Sequence, residues 1–183
     1  MGYESALTKA WDEVAALTLP KTRAVKFLAD EYSVDIEKRQ VLSLSCNVSA
    51  KDFLAIILLH YVARSFHGLP QVTGRWVDFR EFAGVEGYES AFRARVVNTV
   101  IRKFGKNPGA LLEILTRFPG EKANLGDVGV ILEPLAGVKL LILLWKADNE
   151  FGPEANVLFD ASMRDIFCIE DAIVLAEITV RQL

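Results

Sequence analysis

A chain of 183 residues, 51% hydrophobic and 25% charged, has the size and make-up of one soluble globular domain that can bury a core without disulfide or metal staples. Its net charge of −3 and isoelectric point near 5.5 argue against nucleic acid as the main partner, because phosphate binding draws on clustered Lys and Arg. The longest apolar runs, Phe53–Leu59 and Leu140–Trp145, fall far short of the roughly 20 residues of a membrane span, and the opening MGYESALTKAWDEV has acidic residues where a secretory signal has an apolar stretch, so a cytoplasmic protein with no membrane partner is expected.

Leu7, Trp11, Val14 and Leu17 recur at helical spacing and predict an amphipathic helix over residues 3–17. Pro20 then fits the first turn of a second, short helix reaching about Glu31, with Val25, Phe27 and Leu28 turned to the core. Tyr32, Val34 and Ile36 alternate with polar residues, as do Leu42 and Leu44. With the polar link Glu37–Gln40 between them they predict a β-hairpin. Ser49-Ala-Lys-Asp52 has the form of a capping box at the head of a strongly apolar helix, Ala50 to Phe66, which Gly68 and Pro70 end. Residues 69–87 read as an ordered loop with a short strand or turn around Trp76–Phe82.

Tyr88 to Phe104 reads as a helix with Phe92, Val96, Val100 and Phe104 along one face, ended by Gly105. Asn107 and Pro108 open another, to Phe118, and Pro119–Lys122 reads as a turn. From Gly126 the period changes. Val128, Val130 and Leu132 have strand spacing, and Pro134 and Gly137 mark a turn. The apolar run Val138–Trp145 predicts a central strand buried on both faces. Lys146–Glu154 is a polar, acidic loop, and Ala155–Phe159 a third strand. Glu170 and Asp171 suit the first turn of a closing helix to Leu183, where the helix dipole favours negative charge. No repeat or linker divides the chain. The expected fold is a single α+β domain: a mostly antiparallel sheet of about five strands, made by the early hairpin and the three late strands, packed against several helices.

Two clusters carry the most chemistry. Arg75, Trp76 and Arg80 sit in the loop before the Tyr88 helix, and Arg93 and Arg95 lie early in that helix. Together they suit a clamp for an anion or a planar ring; the plainer reading is internal ion pairing with Trp76 as core. Asp148, Glu150, Glu154 and Asp160, with Asp127, suit a divalent cation or an acid–base pair; the plainer reading is a solvated turn. No motif names a cofactor or a metal site. His60, within the apolar helix, reads as a hydrogen-bonded core residue, and His67, at its end, as a favourable charge there. Cys46 and Cys168 read as free, mostly buried thiols.

The segments LLHYVARSFHGLP (58–70), GRWVDFREF (74–82), LLILLWKADNEFGPEANVLFDAS (140–162) and IEDAIVLAEITVRQL (169–183) resemble the family catalogued as domain of unknown function 3786. The resemblance covers about residues 25–183, with residues 1–24 as a helical extension. It implies shared positions at Trp76, Arg80, Arg93, Asp127, Trp145, Asp148, Glu150, Phe151, Asp160 and Glu170. It further implies an origin in anaerobic bacteria or archaea, where some members carry an iron–sulfur domain that this chain lacks. No activity comes with it. The first expectation is therefore a non-catalytic accessory protein that binds a small anionic or planar ligand or a metalloprotein partner, through Arg75, Trp76, Arg80, Arg93, Trp145, Asp148, Glu150 and Asp160. The alternatives are a small hydrolase or transferase built on the carboxylates, with or without a divalent cation, and a plain protein-interaction module.

Overall fold

The structure is a computed structural model, which describes residues 3–183. It is α+β, with two antiparallel sheets and helices packed between and against them. Helix α1 (Glu4–Ala15) lies on α2 (Asp52–Phe66) and puts Ala10, Trp11 and Val14 into the main core. The segment after Pro20 is a strand rather than a helix. Val25 and Phe27 are buried while Ala24 and Lys26 are exposed, a period of two that outweighs the helix-start signal of the proline. This β1 (Thr22–Phe27) pairs with β2 (Asp30–Asp35), which pairs with β3 (Gln40–Ser43). The early hairpin thus belongs to a small sheet of its own, not to the sheet of the late strands. Leu28, in the two-residue turn between β1 and β2, has φ +52° and is fully buried. Its N–H donates to the Pro134 carbonyl at 2.8 Å, which ties the small sheet to the large one.

The large sheet has the order β4-β8-β7-β6-β5, with β4 Trp76–Val77, β5 Gly120–Ala123, β6 Val128–Leu135, β7 Val138–Trp145 and β8 Glu154–Asp160. Strand β5 occupies the segment expected as a turn. It is a polar edge strand, so burial left no pattern in it, and a Cβ on Gly120 would run into the Ile131 carbonyl of its neighbour. Pro134 sits inside β6 at the irregularity between Leu132 and Leu135, where a missing N–H costs no ladder bond. Strand β7 is buried on both faces, as its composition demands. Leu140, Ile142 and Leu144 join Val130, Leu132, Val157 and Phe159 under the helices, and Leu141 and Leu143 join Ala123 on the other face. There the half-buried Trp76, Ile131 and Leu158 pack around them. Strand β4 pairs only with Phe159 and Asp160, so residues 154–158 have no strand partner on that side among the described residues. The Asn156 side chain accepts the Val157 N–H at 2.9 Å.

Helix α2 starts at Asp52 without a side-chain cap; Ser49 instead bridges to Leu42 of β3. Residues 89–104 form one continuous helix: α3 (Glu89–Phe92), a π segment (Arg93–Val97) and α4 (Asn98–Phe104). Phe92 stacks on Phe79 at 4.3 Å between centroids and tilts against Phe159 of the sheet. The helix after Pro108 is short, α5 (Ala110–Glu113). The closing helix α6 (Ile169–Gln182) packs against α2 and the π segment. Among the described residues no helix is long and apolar enough to cross a membrane.

Candidate functional site

The two clusters expected to make a site lie at opposite ends of the large sheet. Trp145 pairs with Glu154 at one end of β8, and Trp76 pairs with Asp160 at the other. Six residue steps at about 3.3 Å each separate these ends by roughly 20 Å. Asp148 and Glu150 in the β7–β8 loop therefore share no cleft with Asp160 or with Arg75, Trp76 and Arg80. Asp160 is fully buried and accepts five hydrogen bonds, from the N–H and hydroxyl of Thr73, the N–H of Gly74, and the N–H and hydroxyl of Ser162. Burial alone would raise its pKa, but these donors outweigh it and hold the carboxyl below its ordinary value. Arg80 bonds Asp78 at 2.9 Å, and Arg75 lies 3.9 Å from Glu81. Asp148 accepts the N–H groups of Glu150 and Phe151 and so closes its own turn, while Asp127 accepts that of Lys146. Glu150, Arg93 and Trp145 are exposed.

A cavity of about 610 Å³ opens elsewhere, between the β3–α2 loop, the first turn of α2 and the last turns of α6. Phe53 and Leu54 of α2 and Val174 and Ile178 of α6 form apolar walls. These residues lie one turn apart on α6, so the spacing that builds the helix's core face also lines the cavity. Tyr32 and Ser43 close the small-sheet side, and Tyr3, in edge contact with Phe53, stands at the mouth. Ser43 Oγ donates to Asp30 at 2.7 Å. Burial first, and then the Asp30 charge, push the Tyr32 hydroxyl up to about 12. Lys51, Arg95 and Arg181 stand around the cavity with one carboxylate, Glu177. Both arginines pair with Glu177, Arg181 at 2.6 Å and Arg95 at 3.7 Å. The π segment brings Arg95 here; such wide turns often mark functional positions.

A second, more open groove of about 600 Å³ lies over the α2–α6 contact, with His60, His67, Arg64, Arg164 and Cys168 in its lining. His60 Nδ1 bonds Asp171 at 2.7 Å. That bond raises the imidazole pKa against the opposing effect of burial, with the charges of Asp171 and Glu13 adding to it. Cys46 and Cys168 are both free but exposed, contrary to expectation, because one lies in the β3–α2 loop and the other at the start of α6. Partial burial and the neighbouring Asp171 and Glu170 push the Cys168 thiol up to about 11, which keeps it protonated and a poor nucleophile at neutral pH.

Sequence reasoning missed Lys51, Phe53, Glu177 and Arg181. Only Arg95 had drawn notice, beside Arg93. The i,i+4 pair Glu177–Arg181 was visible but looks like any exposed helix pair until its neighbours are known. Fold and cavity together define an α+β domain with a lined cavity and, among the described residues, no group of acidic side chains placed to hold a metal ion. The chain belongs to the family described as domain of unknown function DUF3786, whose model matches residues 13–182 and so begins inside α1. No curated protein and no solved structure matches it.

Proposed function

We propose that the protein is a non-catalytic binding protein whose ligand seats its apolar part in the cavity between α2 and α6. The observation that carries this reading is the cavity itself: about 610 Å³, within the usual range for small-molecule sites, with Phe53, Leu54, Val174 and Ile178 as walls and charged groups at its edge. Catalysis by the acidic cluster has less support, because Asp148 and Glu150 stand roughly 20 Å from Asp160. An accessory role in anaerobic metabolism, with a metalloprotein as recipient of the ligand, is the setting the family suggests. The test is titration with the neutral fluorophore 1-aminoanthracene. Saturable binding is expected, lost at least about tenfold in Val174→Trp, which fills the cavity from a half-buried position. Equal binding by a folded Val174→Trp would place the fluorophore elsewhere and remove the reading.

A further inference from the structure

On the reading that this cavity is the ligand site, its charges identify the class of ligand. Three cations, Lys51, Arg95 and Arg181, face one carboxylate in the lining, on a protein whose net charge is −3. The Glu177 side chain is only 15% exposed, whereas those of Arg95 and Arg181 are 56% and 63% exposed. The two guanidiniums thus stay largely exposed while paired with Glu177 and have faces left for another acceptor. Lys51 has no carboxylate partner among the described residues; its ammonium lies 6.0 Å from the Phe53 ring. Asp30, which accepts the hydroxyl of the lining residue Ser43 and the N–H of Glu31, is not itself part of the lining. A planar guanidinium matches a planar carboxylate in two parallel bonds.

We propose that the cavity takes a carboxylate with an apolar body of medium fatty-acid size. Its head is held by Arg95, Arg181 and Lys51, and its body lies between Phe53, Leu54, Val174 and Ile178. Glu177 is the internal counter-ion that holds the two arginines in place while the site is empty and competes with the ligand's head. The experiment is displacement of 1-aminoanthracene by decanoate, decanol, decylamine and inorganic phosphate at one ionic strength. Decanoate is expected to displace at least about tenfold better than decanol, with decylamine weaker still and phosphate inactive. Arg95→Met and Arg181→Met should each weaken decanoate several-fold and leave decanol unchanged. Glu177→Gln should strengthen decanoate several-fold, again without effect on decanol. Decanol equal to decanoate in the wild type would overturn the ligand class while the cavity reading stood, since the fluorophore would still bind. Effective displacement by phosphate would overturn the apolar-body requirement. An unchanged or weaker decanoate affinity in Glu177→Gln, with native circular dichroism, would overturn the counter-ion role. Failure of the fluorophore itself to bind would instead remove the underlying reading.

Discussion

The Asp160 carboxylate gathers donors from residues 73, 74 and 162, and so fixes the approach to β4, the end of β8 and the turn that follows. Its removal would leave the buried N–H and hydroxyl of Ser162 without this acceptor and release Thr73 and Gly74 from the end of β8. Asp160→Ala is expected to cost about 3 kcal/mol or more, and Asp160→Asn less, since one acceptor oxygen remains. The pH dependence follows from the lowered pKa of this group. Its contribution is present above the unfolded carboxyl value, roughly 3.9, and is lost as pH falls through the folded one. Urea unfolding of the wild type and Asp160→Asn between neutral pH and pH 3 would show it: the gap between them should narrow toward the acid end. In the sequence Asp160 stands among acids near the chain's end, and nothing there reveals that Thr73 and Gly74 are its partners. That is why a structural bracket looked like one member of a metal or acid–base set.

At the scale of elements, local pattern decided most assignments. Strand β7 was readable because a short, continuous apolar run fits a strand buried on both sides. The π segment left a trace too. Phe92, Val96, Val100 and Phe104 keep a spacing of four, and in a regular α-helix each such step drifts about 40° around the axis. A wider turn at Arg93–Val97 takes up part of that drift and keeps all four buried. The small sheet was harder, because Pro20 gave a helix signal and the chain's answer depends on the pairing of β1 with β2. Leu28 shows the strength of that tertiary demand: a branched residue is held at positive φ so that its side chain is buried and its N–H meets Pro134. Leu28→Ala should destabilise by about 2–5 kcal/mol. Leu28→Gly should be the more stable of the two by about 1 kcal/mol, since glycine accepts this conformation without strain. Thermal unfolding of both variants decides the order, which would be reversed if the turn conformation carried no strain.

Over the whole molecule, α2 and α6 form both the cavity and the second groove, and the His60–Asp171 pair joins them. Because His60 has a raised pKa in the folded protein, its contribution to stability is full below about 6.5 and is lost as pH rises through the folded value. The denaturation midpoint of the wild type should therefore fall between pH 6 and 8 relative to His60→Gln; parallel midpoints over that range would show that the pair does not tie the helices. The α+β class was open to sequence reading because it follows from the order and period of the elements. The cavity was not, since its walls come from α2 and α6, more than a hundred residues apart, and each wall residue looks like ordinary helix core.

The partnerless stretch of β8 has one more consequence. An unfilled sheet edge can act as a template on which further chains add strand by strand, and such growth has no natural end. Here the Asn156 amide occupies the Val157 N–H, one of the groups that an incoming strand would need. With the exposed Glu154 beside it and β4 paired over the last two residues, little of this edge is left in the form an incoming strand needs.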